Sequence, residues 1–81
     1  MERERIKETL LSILYKEYGY EENELSEDTS FGGDLGLDSL DRFNICYEIE
    51  RKLNIEVDED EIDDNTTIGN LIDLAQRKSN Q

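Results

Sequence analysis

The apolar positions of this chain of 81 residues follow the spacing of helices that each bury one face. In residues 2–18 they recur three or four positions apart with charged residues between them, which predicts a first helix that ends at Gly19. The same spacing predicts a second helix over about 39–53 and a last helix of about ten residues, capped by Thr66 or Thr67. The predicted buried positions are Ile6, Leu10, Ile13, Leu14 and Tyr18 in the first helix, Ile45, Cys46, Ile49 and Leu53 in the second, and Ile68, Leu71, Ile72 and Ala75 in the last.

The segments between these helices carry a few apolar anchors of their own. Residues 19–37 form a long loop, which we expect to be pinned over the helices by Leu25, Phe31, Leu35 and Leu37. Residues 54–65 contain an acidic turn that leaves room for one short helical segment, and residues 79–81 should fray. There is no strand-like alternation, no repeat and no proline. The sequence therefore predicts an all-α fold: a small four-helix bundle with three longer helices, one short one and a long loop between the first and second, in a single domain over 1–81.

The second helix has apolar residues on two faces. Leu40, Phe43 and Tyr47 form a stripe well over a quarter-turn away from its predicted buried face. This stripe either packs on the long loop or the last helix, or is an exposed patch that docks partner proteins. The pattern alone leaves both interpretations open.

Charge separates the chain from several classes of protein. Its 22 acidic and 9 basic residues give a net charge of −13, which argues against nucleic acid as a partner and favours proteins with basic patches. Two blocks without any base, at residues 17–41 and 54–76, hold most of the acids and should steer a basic partner. Such acidity also occurs in disordered chains, but the regular apolar spacing argues against disorder.

The residue types present also argue against catalysis. Histidine is absent, which removes Ser-His nucleophilic catalysis and the commonest metal ligand. Cys46 is the only cysteine, so we expect no internal disulfide and a thiol in the core. Nearby aspartates in the long loop lack the ligand spacing of a calcium site, so no metal is expected. No apolar run is long enough for a membrane span, and the N-terminus has no signal-like segment, which favours a cytoplasmic protein.

One stretch joins the long loop to the second helix: Asp34-Leu35-Gly36-Leu37-Asp38-Ser39-Leu40-Asp41. Asp38 or Ser39 is expected to cap the helix, with Asp41 as an acid in its first turn. Gly36 lets the backbone turn tightly just before it. The Ser39 hydroxyl then lies at a loop-to-helix corner, where an enzyme can reach it and where helix N–H groups favour a negative substituent.

With Ser30-Phe31 before it and Thr66-Thr67-Ile68 after the second helix, this stretch resembles the acyl carrier proteins. In that family the serine of Asp-Ser-Leu carries 4′-phosphopantetheine, attached through a phosphodiester by a transferase that uses coenzyme A and a divalent metal. The resemblance implies that Ser39 bears this arm and that Asp38 flanks it for recognition by the transferase. It further implies a non-catalytic carrier, expected to be monomeric, that holds acyl groups as thioesters in fatty-acid synthesis or a related specialised pathway.

The resemblance also implies a partner face on the second helix. The partners would be the phosphopantetheinyl transferase and acyl-processing enzymes with basic patches, and the residues facing them Leu40, Asp41, Arg42, Phe43, Tyr47 and Glu48. Three bases offset the three acids of this helix, and its aromatic residues are bulkier than is usual in the family, so we hypothesise a specialised carrier. The alternatives are a carrier for a polyketide, aminoacyl or other dedicated pathway, and an unmodified acidic interaction module in which Ser39 is only a cap.

Overall fold

The computed structural model describes residues 1–80 and contains three α-helices joined by irregular segments. The helices are α1 (Arg3–Tyr18), α2 (Ser39–Leu53) and α3 (Ile68–Ser79), and each connection contains one 3₁₀ turn, at Glu22–Glu24 and at Glu59–Glu61. Residues 1–80 contain no strand, only an isolated antiparallel bridge between the loop before α2 and the residue before α3. The all-α fold is therefore confirmed.

The predicted short fourth helix is present only as the 3₁₀ turn Glu59–Glu61. The turn stops because Ile62 adopts an extended backbone conformation (φ −129°, ψ 150°) directly after it. The Ile62 side chain is buried in the core. The count of four helices is therefore not confirmed.

The core is shared by one face of each helix, because α1 packs against both α2 and α3. The predicted apolar positions are buried, except that Tyr18 is only partly buried and packs at the edge of the core. Burying such side chains contributes about 1.5–3 kcal/mol each and stabilises helices that would be marginal alone. The buried helical residues are Ile6, Leu10, Ile13, Leu14, Ile45, Cys46, Ile49, Leu53, Ile68, Gly69, Leu71, Ile72, Leu74 and Ala75.

The long connection between α1 and α2 is fixed against the start of α3. All four predicted anchors pack on the core, Phe31 and Leu37 most deeply. The N–H of Phe31 donates to the carbonyl oxygen of Thr66 (3.0 Å), and the N–H of Ile68 donates to that of Thr29 (2.9 Å). The loop that leads into α2 is therefore held in place from both sides.

Gly19 and Gly69 lie where the chain turns or approaches itself closely. Gly19 ends α1 as predicted, with φ at 77°, a region that side chains other than glycine rarely adopt. At Gly69 in α3, an added Cβ would lie 3.0 Å from the carbonyl oxygen of Glu27, to which the Gly69 N–H donates at 2.8 Å. The missing side chain therefore lets the long loop lie directly on α3.

The C-terminal part of α3 extends further than expected. Ser79 is the last helical residue, with its Oγ donating to the carbonyl oxygen of Gln76 (2.8 Å), and Asn80 ends the helix. α3 therefore extends to Ser79, fraying of its last residues stays a prediction, and Gln81 lies outside the described residues. None of the helices within residues 1–80 combines the length and the apolar character needed to cross a bilayer.

Candidate functional site

Ser39 is the first residue of α2 and is exposed. The residue before it, Asp38, is the N-cap: its Oδ1 accepts from the N–H of Asp41 (2.9 Å), and Oδ2 of Asp41 accepts from the N–H of Asp38 (3.2 Å). The sequence left the cap open between Asp38 and Ser39, and the structure assigns it to Asp38. The Ser39 hydroxyl is therefore not used for capping.

The carboxyl group beside the serine is held in its charged form. The hydrogen bond from the N–H of Asp41 lowers the pKa of Asp38 below its ordinary value, and weaker effects of Leu40 and Arg42 act in the same direction. Ser39 is thus preceded by a carboxylate at neutral pH. Ser39 is followed in sequence by the backbone N–H groups of the first turn of α2, which have no partner within the helix.

The two apolar faces of α2 have opposite environments. Leu40, Phe43 and Tyr47, which we call the outer stripe, are 73%, 40% and 59% exposed. The interpretation in which these residues pack on the loop or on α3 is therefore wrong. The outer stripe begins next to Ser39 and continues for two helical turns.

The inner face of α2 contains the only thiol of the chain. Cys46 is buried there among the aliphatic core residues, as predicted. Burial raises the pKa of this thiol to about 11, since a thiolate is poorly solvated in the core. Cys46 is therefore a core residue rather than a reactive group.

The polar residues predicted for the partner face are less exposed than the outer stripe. Asp41 is partly buried and is used in the cap of α2. Glu48 is partly buried as well, and its Oε2 accepts from Nη2 of Arg51 at 3.2 Å. These residues lie at the edge of the exposed surface.

Arg42 points back towards the start of α2 rather than out to solvent. Its side chain is only 13% exposed, and its Nη1 forms an ion pair with Oδ1 of Asp64 and lies 3.5 Å from the carbonyl oxygen of Leu37. Asp64 belongs to the segment before α3, 22 positions further along the chain. Sequence reasoning missed Asp64, because nothing in its spacing links it to Ser39.

A shallow depression lies beside Ser39, between the start of α2 and two loops. Its border includes Gly32, Gly33 and Gly36 on one side and Arg42, Asp64 and Asn65 on the other. Gly32 must lack a side chain, since an added Cβ would lie 2.7 Å from Cβ of Asp64. The glycines between Phe31 and Leu37 were a signal that could have revealed this close approach.

The site is thus an exposed serine at the start of a helix, flanked by an exposed apolar stripe, on a small helical bundle. The family model for the phosphopantetheine attachment site matches residues 5–75. The chain therefore belongs to this family, that of the acyl carrier proteins. Its cofactor is 4′-phosphopantetheine, as predicted.

Two relatives agree with this assignment over nearly their whole length. An acyl carrier protein from Thermotoga maritima is 28% identical over 76 residues, which are 94% of this chain and 94% of the relative. An acyl carrier protein from Guillardia theta is 28% identical over 78 residues, 96% of each chain. The resemblance that the motif around Ser39 suggested is thus confirmed at the level of the family.

Proposed function

We propose that the chain is an acyl carrier protein whose 4′-phosphopantetheine arm is attached to Oγ of Ser39. The observation that carries the proposal is the exposed position of Ser39 at the start of α2, within the matched region. The arm supplies a thiol on which acyl groups are held as thioesters. The protein itself positions this arm and presents it to enzymes, and it catalyses no reaction.

The start of α2 suits the attachment of a phosphodiester. The N–H groups and the dipole of a helix N-terminus favour a negative group there. Because the cap is formed by Asp38, modification of Ser39 leaves the capping hydrogen bonds intact. We assign Asp38, as the flanking carboxylate, to recognition by the transferase.

We further propose that the outer stripe docks partner enzymes. Its three apolar side chains are exposed beside Ser39, and Asp41 and Glu48 lie at its edge, whereas Arg42 borders the depression on the other side of the start of α2. Exposed aromatic residues of this kind often dominate binding energy in interfaces. The acidic blocks at residues 17–41 and 54–76 should attract partners with basic patches, namely the phosphopantetheinyl transferase and acyl-processing enzymes.

For the pathway, we propose fatty-acid synthesis or a related specialised route with its own partner set. The bulky Phe43 and Tyr47, and the bases in α2, favour partners other than a generic set of enzymes. Polyketide, aminoacyl and other dedicated pathways are the alternatives. Acylation and elongation by a standard fatty-acid synthase set at the rate of its own carrier would contradict the specialised role.

The attachment is tested by intact mass after incubation with coenzyme A, magnesium and a promiscuous phosphopantetheinyl transferase. The chain should gain the mass of one phosphopantetheine group, and Ser39→Ala should abolish the gain. Ser12→Ala, a serine in the middle of α1, is the matched control and should be modified like the wild type. A folded wild-type protein that gains no mass would overturn the proposal and favour an unmodified interaction module.

The remaining expectations concern the protein as a whole. We propose a single carrier domain over 1–81, which the continuous core of the three helices supports. The monomeric state and the cytoplasmic location stay predictions. Sedimentation of the modified protein tests the first, and fractionation of native cells tests the second.

A further inference from the structure

Arg42 is placed to act on whatever is attached to Ser39. Side chains of a helix lean towards its N-terminus, and residues three positions apart lie on the same side of it. Arg42 follows this rule, since its Nη1 lies 3.5 Å from the carbonyl oxygen of Leu37, two residues before Ser39. Arg42 and Ser39 border the same depression.

The hydrogen-bonding capacity of this guanidinium is only partly used. Arginine has five N–H donors, and Nη1 is occupied by Asp64 and by the long contact to Leu37. Nε is buried, and within residues 1–80 it has no hydrogen-bond partner. A buried donor without a partner is costly, so the side chain is held in this position at the expense of one hydrogen bond.

The partner of Arg42, Asp64, is held through its backbone, but its carboxylate is exposed to solvent. The N–H of Gly32 donates to the carbonyl oxygen of Asp64 (3.0 Å), and the missing side chain of Gly32 allows this approach. The side chain of Asp64 is 74% exposed. Solvent screens the Asp64 half of this ion pair, although Arg42 is only 13% exposed, so another anion near Ser39 can compete with this carboxylate for Arg42.

Resting on the proposed attachment at Ser39, we propose that Arg42 binds the phosphodiester at the root of the arm. The phosphodiester and the carboxylate of Asp64 then compete for one guanidinium, whose N–H groups can donate to the two charged oxygens of either anion. Arg42 is a positioning residue: it holds the arm over the depression beside the loop glycines. Modification draws Arg42 partly away from the Asp64 carboxylate, which continues to compete for it, so the surface beside Ser39 differs between the unmodified and the modified protein.

Phosphorus-31 NMR of the modified protein tests this directly, because the phosphodiester is its only phosphorus. The proteins compared are the wild type, Arg42→Gln, Asp64→Asn and the control Arg51→Gln, which removes another arginine of α2 that is paired with Glu48. We expect the resonance to shift and to narrow in Arg42→Gln and to match the wild type in Arg51→Gln. In Asp64→Asn it should shift in the opposite direction, since Arg42 has lost its competitor.

The outcomes separate this inference from the attachment itself. A wild-type chain that gains no mass has no phosphorus signal, and the attachment fails. A chain that gains the mass, but whose resonance is the same in the wild type, Arg42→Gln and Asp64→Asn, overturns the role of Arg42 alone. If Arg42→Gln does not fold, the decision rests on Asp64→Asn, whose substitution is at an exposed side chain: a resonance identical to that of the wild type overturns the proposal.

Discussion

The two helices α2 and α3 use their apolar residues differently. Every apolar residue of α3 is buried, whereas α2 buries Ile45, Cys46, Ile49 and Leu53 and exposes the outer stripe on another face. Both helices begin with a reciprocal cap, so the difference is not in how they start. It shows that helical spacing of apolar residues does not by itself identify the core, and that α2 carries more apolar surface than folding uses.

The largest expected effect is on stability, and it separates the two helices directly. Ile72→Ala in α3 should lower the free energy of unfolding by about 2–5 kcal/mol, because Ile72 is fully buried and the substitution leaves a cavity. Tyr47→Ala in α2 should change it by less than about 0.5 kcal/mol, since Tyr47 is mostly exposed. Urea unfolding followed by circular dichroism measures both. Similar losses for the two variants would mean that the outer stripe also stabilises the fold.

The second effect concerns recognition and is specific to α2. Tyr47→Ala should lower kcat/KM of the transferase for the carrier about tenfold. The reason is that an aromatic side chain central to an interface often contributes more than about 1.4 kcal/mol to binding. Tyr15→Ala is the matched control, since Tyr15 is a similarly exposed tyrosine on α1, away from Ser39. The assay is the mass gain at limiting carrier concentration. Equal rates for the two variants would place the docking surface elsewhere.

A third effect distinguishes the caps of the two helices by their response to acid. The pKa of Asp38 is lowered in the folded chain, so the unfolded chain binds a proton more readily. This contribution to stability is complete above the ordinary aspartate pKa of about 3.9 and is lost as the pH falls through the lowered folded value. Thr67, which caps α3 by accepting from the N–H of Asn70 (3.1 Å), does not titrate.

Substitution by asparagine, itself a good cap, isolates this effect. As the pH falls from 5 to 3, the urea midpoint of unfolding should decrease less steeply in Asp38→Asn than in the wild type. Thr67→Asn should leave that slope unchanged. Some slope should persist in all variants, because hydrogen bonds from Arg3 and Lys78 lower the pKa values of Glu27 and Glu61. Equal slopes for Asp38→Asn and the wild type would contradict the assignment.

The smallest effect should come from salt and should not distinguish the helices. The acidic blocks at residues 17–41 and 54–76 lie before and across the starts of α2 and α3, and their repulsion is screened as ionic strength rises. The melting temperature should therefore increase by a few degrees, equivalent to less than about 1 kcal/mol. A differential scanning calorimetry series in sodium chloride tests this. A melting temperature that falls at moderate salt would show that ion pairs outweigh the repulsion.

Local patterns in the sequence were sufficient for the three longer helices and for the position of Ser39 at the start of α2. The 3.6-residue period placed the buried face of α2, and the glycine at position 19 marked the end of α1. To choose between the two candidate caps of each helix, the residue three positions after each candidate also had to be considered. In both Asp38-x-x-Asp41 and Thr67-x-x-Asn70 the third residue after the cap returns a hydrogen bond, and this spacing could have settled both caps.

Contacts between distant segments could not be predicted in the same way. The ion pair of Arg42 with Asp64 and the approach of Gly32 to Asp64 depend on how the loops fold over the helices. Exposure of the outer stripe was likewise undecided, because it depends on whether the loop or α3 covers that face. In the acidic segment before α3, the extended backbone at Ile62 limited the helix to a single turn.

The burial of Cys46 has a consequence for the cargo. A thioester on the arm is open to attack by any accessible thiolate of its own carrier. Such an exchange would transfer the acyl group from the arm to a cysteine side chain of the protein. The only cysteine of the chain lies in the core with its pKa raised to about 11, so it is neither accessible nor ionised near neutral pH. A loaded carrier therefore contains no internal thiol to which its acyl group could be lost.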